Sequence, residues 1–316
     1  MAVYTDVNLN ELSAVLQRFD LGELRSSRGI AEGVENSNYL IETDKARYIL
    51  TLYEKRVAAA DLPFFLGLME HLAGNSIPCP LPMHDEKGMA LVQLSNRPAA
   101  LISYLDGVSI DQPSQGHCHQ VGTALADLHA AQTGFTSVRA NALSLDGWRD
   151  LAASCLQDAA KVEPNLPALI TDELSFLAKC WPDADVLPSG VIHADLFPDN
   201  VFFLHGTLSG IIDFYFACND MLSYDLAICL NAWCFNPNRQ FLPAHAEALI
   251  AGYSAKRPLT RDEQDILPLL CRGAAMRFLL TRLYDWLNPA PGALVKPKDP
   301  LDYVARLKFF QTWGFP

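Results

Sequence analysis

Between Val191 and Phe214 the chain sets short apolar runs beside side chains that can take a proton or hold a hard cation. Val201-Phe-Phe-Leu204 and Gly210-Ile-Ile212 are bounded by turn residues, which predicts two neighbouring strands joined by the turn His205-Gly-Thr-Leu-Ser209. Asp195, Asn200 and Asp213 then fall at the strand ends. Taken singly, each reads as an ordinary turn residue, a role Asp and Asn often fill. The ordered set, with Pro198 inside the loop and apolar runs after it, points to a chemistry. Moving a phosphoryl group from a nucleotide needs a carboxylate to take the proton of the attacking hydroxyl, and oxygen ligands to hold Mg²⁺ against the phosphates.

The spacing His193-x-Asp195-x-x-x-x-Asn200 matches the catalytic-loop pattern of protein kinases, and Asp213-Phe214 stands where that pattern has its second metal-holding aspartate. His193-Ala-Asp-Leu-Phe-Pro-Asp-Asn-Val-Phe-Phe203 and Ile211-Ile-Asp-Phe-Tyr-Phe-Ala217 resemble the paired motifs of the aminoglycoside phosphotransferase and choline kinase superfamily. The resemblance covers nearly the whole chain. It implies an α+β, protein-kinase-like bilobal fold, with an antiparallel β lobe over 1–102 that binds nucleotide and a mainly helical lobe over 103–316 for catalysis and substrate. It also implies ATP and Mg as cofactors, Asp195 as the catalytic base, and Asn200 and Asp213 as metal ligands.

Nearer the N-terminus, Arg28-Gly-Ile-Ala-Glu-Gly-Val-Glu-Asn-Ser-Asn-Tyr-Leu-Ile41 runs from a glycine turn into an apolar strand. Gly29 and Gly33 let backbone N–H groups approach phosphate oxygens, although a plain hairpin turn accounts for the residues equally well. No Gly-Lys pair occurs in the chain, which excludes a Walker-type phosphate loop. Gly29, Gly33, Asn36, Ser37 and Asn38 resemble the nucleotide-covering loop of the superfamily. Tyr104, in the connector Ser103-Tyr-Leu-Asp-Gly107, stands where an adenine ring would lie. The strand Arg47-Tyr-Ile-Leu-Thr-Leu-Tyr53 departs from the usual pattern, because Thr51 occupies the place of the lysine that pairs the phosphates. Lys55 and Arg47 each lie four residues away, about 13 Å along an extended strand, so neither substitutes simply.

The helical periodicity predicts helices over 8–19, over 61–73, from Gln115 onward, across 144–181, from Asp220 to Trp233 and over 267–287. His129 is expected as a packed helix residue and His117-x-His119 as a helix start. Asp225, in a strongly apolar helix, is expected to brace the motif loops. Arg272, Arg277 and Arg282 form a cationic set on the last of these helices; a solvated face is the expectation for any one of them alone.

A formal net charge of −12 argues against a nucleic-acid surface, which needs clustered Lys and Arg. Eight cysteines without a C-x-x-C pair read as buried small hydrophobes, and no zinc site is expected. The charged first twenty residues lack a signal core, and no apolar run reaches a bilayer span. These features predict a cytoplasmic protein acting on a small molecule, with no nucleic acid and no membrane. No Ala-Pro-Glu element follows Phe214, which argues against a protein substrate. On chemistry alone, aminoglycoside, choline, methylthioribose and homoserine acceptors remain open, as does a catalytically dead nucleotide-binding relative. Gly29-Ile-Ala-Glu-Gly-Val-Glu-Asn-Ser-Asn-Tyr, Ile49-Leu-Thr-Leu-Tyr-Glu-Lys, Leu66-Gly-Leu-Met-Glu-His-Leu and Ile77-Pro-Cys-Pro are similar to the bacterial homoserine kinases of this fold. That resemblance implies phosphorylation of L-homoserine, a step of threonine biosynthesis.

Overall fold

The computed structural model describes residues 5–30, 36–54, 58–183, 186–289 and 297–315. The chain divides into two units. One is chiefly Met1–Gly107 with Ser209–Tyr215; the other is chiefly Val108–Leu208 and Phe216–Pro291 with Pro297–Pro316.

In the first unit, α1 (Leu9–Arg18) starts at Asn8, whose side-chain oxygen accepts from the N–H groups of Asn10 and Glu11 and so satisfies the open first turn. Five strands follow: β1 (Leu24–Gly29), β2 (Ser37–Thr43), β3 (Arg47–Leu52), β4 (Leu91–Leu94) and β5 (Arg97–Ser103), with α2 (Leu62–Gly74) inserted after β3. They form one antiparallel sheet in the order β1-β2-β3-β5-β4. The β4–β5 turn carries Ser95 and Asn96 at positive φ, the twist a two-residue hairpin requires. Alternation along β2 and β3 sends Tyr39, Ile41, Tyr48 and Leu50 to one face, where they meet Leu12, Leu16 and Phe19 of the α1 segment in a buried core. Removing one such buried Leu side chain costs about 2–5 kcal/mol, because the cavity left behind closes only in part.

The second unit is mainly helical: α3 (Gln115–Ala131), α4 (Leu145–Ala159), α5 (Leu166–Cys180), α6 (Leu222–Trp233), α7 (Pro243–Lys256), α8 (Arg261–Leu287) and α9 (Leu301–Phe310). Helices α3 and α7 lie unusually close, because a Cβ on Gly122 would stand against the Leu249 carbonyl and one on Gly252 against the His119 carbonyl. His117 accepts the Ser114 N–H while Ser114 Oγ accepts the His117 N–H, so this histidine caps α3 as the sequence suggested. Short strands β6 (Ser189–Ile192) and β9 (Cys218–Met221) pair antiparallel. Between them in the chain lie β7 (Val201–Leu204) and β8 (Thr207–Ile211), neighbouring strands as expected, but with the turn shortened from 205–209 to His205 and Gly206, both at positive φ, so that the second strand begins at Thr207. Helix α6 is buried along almost its whole length, as its apolar run implied. Seven of the free cysteines are buried and Cys180 is exposed, in line with their expected role as small core hydrophobes. Among the described residues no helix is long and apolar enough to cross a membrane.

Candidate active site

The segment between β6 and β7 is held in a shape that the backbone would not choose unaided. Ala194 sits at φ 64, a left-handed conformation that costs a non-glycine residue energy unless the surroundings impose it. Asp225, on α6, imposes it: its carboxylate accepts the N–H of His193 at 2.7 Å and of Ala194 at 2.9 Å. One residue on, Asp195 is half-buried, and its N–H donates to His193 Nδ1 at 3.2 Å. A short 3₁₀ turn, Pro198–Asn200, then brings Asn200 back to Asp195. Asn200 Nδ2 donates to the Asp195 carbonyl at 2.8 Å and to its Oδ2 at 3.1 Å. The loop crest is fixed from beneath, where Trp233 Nε1 donates to the Leu196 carbonyl at 2.7 Å.

Asp225 is fully buried yet remains a carboxylate. Burial alone would raise its pKa, but the hydrogen bond and charge of His129, together with His193, hold it below the usual range. His129 approaches Asp225 Oδ2 with Nε2 at 3.2 Å and the Tyr253 hydroxyl with Nδ1 at 2.8 Å. Arg257 donates to that hydroxyl at 3.0 Å and to the buried Glu263 at 2.8 Å. Glu263 in turn closes the capping box of α8 with Thr260. The Asp195 loop is thus braced through a chain of satisfied polar groups reaching from α6 through α3 and α7 to the start of α8.

Asp213 belongs to the other unit and also takes a left-handed conformation, φ 65. The residues after it reach into the first unit's own sheet. Tyr215 lies 3.2 Å by hydroxyl from Tyr53, and its phenol is pushed up to about 12 by burial. Thr51, buried on β3, donates to Asn38 Oδ1 at 2.8 Å, so the position that usually carries a lysine is closed into a strand-to-strand hydrogen bond. Arg47 does not replace it; its guanidinium binds Asp106 at 2.8 Å and covers the Tyr104 ring at 4.1 Å. Around the expected nucleotide loop, Asn36 accepts from the Glu54 N–H and Ser37 donates to the Glu54 carboxylate. Gly29 ends β1, and Gly33 lies outside the described residues, as does Lys55. The structure thus brings Asp195 and Asn200 together and gives Asn36, Ser37 and Asn38 side-chain bonds within the sheet.

Asn200 also has the chemistry of a magnesium ligand. Its Nδ2 is committed to Asp195, while its Oδ1 accepts no hydrogen bond among the described residues, leaving a hard oxygen donor in fixed orientation. No group of three or more His, Cys, Asp or Glu side chains suited to a metal occurs among the described residues.

The arginines of α8 correct the expectation of a solvated face. Arg272 makes a two-pronged pair with Glu173, at 2.7 and 2.8 Å, and Arg282 donates to Asp302 at 3.2 Å. Arg277 is buried. The reason is packing: α8 lies against α4, α6 and α9, so the positions of these three arginines face protein while the polar first turn at Arg261 and Asp262 stays exposed. Sequence reasoning missed the brace formed by Tyr253, Arg257 and Glu263, whose members are remote along the chain. The Thr260-x-x-Glu263 capping pattern was its one visible trace.

Residues 26–259 match the family described as "Phosphotransferase enzyme family". The chain is 57% identical to the homoserine kinase of Azorhizobium caulinodans over 99% of its own length and 97% of that protein's. It is 58% identical to the homoserine kinase of Rhodopseudomonas palustris, over 99% and 95%. Its fold is similar to the amicoumacin kinase hAmiN solved in complex with AMP-PNP, Ca²⁺ and Ami, at TM-score 0.68 and 14% identity over 94% of this chain and 91% of that one. By the match over most of its length, and by relatives this similar from end to end, the chain belongs to the phosphotransferase enzyme family.

Proposed function

We propose that this protein is a homoserine kinase, transferring a phosphoryl group from ATP to the side-chain hydroxyl of L-homoserine to give O-phospho-L-homoserine, a step of threonine biosynthesis. The observation that carries the reading is identity of 57–58% to homoserine kinases along nearly the entire chain. The geometry supplies the means. Asp195 accepts the proton of the attacking hydroxyl, and the donated N–H of Asn200 at 3.1 Å fixes which carboxylate oxygen is turned to it. Asp225 locks the backbone on which that carboxylate rides, so little reorganisation is needed when the hydroxyl arrives. Magnesium, when bound, supplies the positive charge that offsets the phosphates. Asn200 Oδ1 is the ligand the structure supports best for it, and Asp213 is proposed on sequence spacing.

The polar side chains of Asn36, Ser37 and Asn38 are engaged in the sheet, so their part in holding nucleotide would run through backbone N–H groups at the loop they support, with Gly29 and Gly33 allowing close approach. Tyr104 is proposed beside the adenine. A cytoplasmic setting, where thiols stay reduced, suits the seven buried free cysteines.

Steady-state ATP consumption with L-homoserine, L-serine, choline, methylthioribose and kanamycin supplied separately tests the assignment. The expected result is strong turnover with homoserine. Turnover with kanamycin or choline and none with homoserine would replace the acceptor while keeping the phosphotransferase.

A further inference from the structure

Arg277 is a buried arginine with no carboxylate hydrogen-bonded to it among the described residues. It is 1% exposed, and its Nε and Nη1 meet no hydrogen-bond acceptor. Both neighbouring cations of α8 are spent, Arg272 on Glu173 and Arg282 on Asp302. The guanidinium of Arg277 lies near two rings, with Cζ 4.8 Å from the Phe278 centroid and 5.6 Å from that of Phe216. Rings attract a cation but accept no in-plane hydrogen bond, so the Nε and Nη1 donors are what remains for a ligand. Asp220 feels its charge but is already held by Asn141 Nδ2 and the Met221 N–H, both at 2.7 Å.

Two further buried hydroxyls stand nearby. The Tyr224 hydroxyl lies against the Arg277 side chain without a well-formed hydrogen bond, and the Tyr303 hydroxyl, also in the field of Arg277, has no hydrogen-bond partner among the described residues. Tyr303 also lies in the field of Asp195. The catalytic loop touches this region directly, since Phe197, two residues past Asp195, packs edge-on to Phe278 at 4.8 Å, and Phe278 lies 5.4 Å from Tyr303. Buried donors left unsatisfied are costly, so their presence beside a catalytic carboxylate marks a place that a ligand completes. The ligand must be a small anion with two oxygens to match an arginine edge.

We infer that Arg277, with the Tyr224 and Tyr303 hydroxyls beside it, receives the α-carboxylate of the acceptor and so selects an amino acid over the corresponding amino alcohol. The inference rests on the homoserine reading above. It assigns Arg277 to substrate binding and leaves proton transfer to Asp195.

The test compares kcat/KM for L-homoserine with that for 3-aminopropan-1-ol, the same chain without its carboxylate. The wild-type protein should favour homoserine by roughly 10²- to 10³-fold, the scale expected when a buried charged contact is lost. Arg277→Met should bring that ratio near one, and Arg277→Lys should recover only part of it, since a point charge lacks the two-pronged edge. Homoserine should raise the Tm of the wild type and not that of Arg277→Met. A wild-type ratio near one overturns the inference without any variant being made. A ratio left intact in Arg277→Met, with KM for ATP raised instead, overturns it by assigning the guanidinium to a nucleotide phosphate. Wild-type turnover of neither acceptor alongside turnover of another alcohol overturns the homoserine reading as well, and so separates the two failures.

Discussion

Two ionisable side chains of the helical unit are buried to nearly the same degree, Asp225 at 0% and Arg277 at 1% exposure, and they are treated in opposite ways. Asp225 accepts two backbone N–H groups and lies against His129, and a further row of satisfied groups stands behind that histidine. Arg277 has two rings near its guanidinium and, among the described residues, no acceptor for Nε or Nη1. A buried charge that is fully bonded is part of the scaffold. One that is not bonded costs stability in the empty protein, and that cost is offset only when something binds. On the reading proposed above, the contrast separates the residues that hold the Asp195 loop in shape from the one that receives substrate.

The largest effect should come from the residue that the brace exists to present. Asp195→Asn keeps shape and the Asn200 contact but removes the proton acceptor, so turnover should fall by roughly 10²- to 10⁴-fold while the thermal transition stays in place. Equal turnover in the variant, measured as ADP release, would remove Asp195 from the chemistry.

Next in size is the brace itself. Asp225→Ala strands two backbone N–H groups and His129 in the interior, and should cost about 3–5 kcal/mol in chemical denaturation, with activity lost as the loop relaxes. The same group sets a pH dependence. Its folded pKa is depressed, so the stability it contributes is fully present above the unfolded-chain value, near 4, and is lost as pH falls below that toward the folded value. Acid unfolding of the wild type should therefore steepen below about pH 4, and Asp225→Asn should flatten that limb. An unchanged acid limb in the variant would mean that the carboxylate is not the group being protonated.

The smallest shift is expected at Arg277, and its sign is the informative part. Arg277→Met removes an unpartnered buried charge and fills the space with an apolar chain, so the Tm of the ligand-free protein should stay level or rise. A fall comparable to that of Asp225→Ala would place Arg277 in the scaffold after all and erase the contrast.

Much of this arrangement could be read from local sequence. The strand at Val201–Leu204, the buried α6 and the Asp195–Asn200 pairing all depend on neighbours within a few residues, where periodicity and turn chemistry act, whereas the antiparallel β lobe was expected from the family resemblance. The bracing role of Asp225 was legible too, because a carboxylate in an apolar helix needs partners. The identity of those partners was not: His129 and Asp225 are 96 residues apart, and Tyr253 lies 124 residues from His129. Arg277 misled for the same reason. On one helix it looks like its neighbours Arg272 and Arg282, and only the packing of α8 against other helices distinguishes a paired arginine from an idle one. Thr51 likewise stood out as a missing lysine, but its hydrogen bond to Asn38 depends on the register between β2 and β3.

The most direct test of the account is the product itself. The protein is incubated with ATP, Mg²⁺ and L-homoserine, and the phosphoester is followed by ³¹P NMR against ADP formed. The account predicts a phosphomonoester on the homoserine side-chain oxygen, growing one-for-one with ADP. ADP accumulating with inorganic phosphate alone, or no ADP above the acceptor-free control, would contradict it.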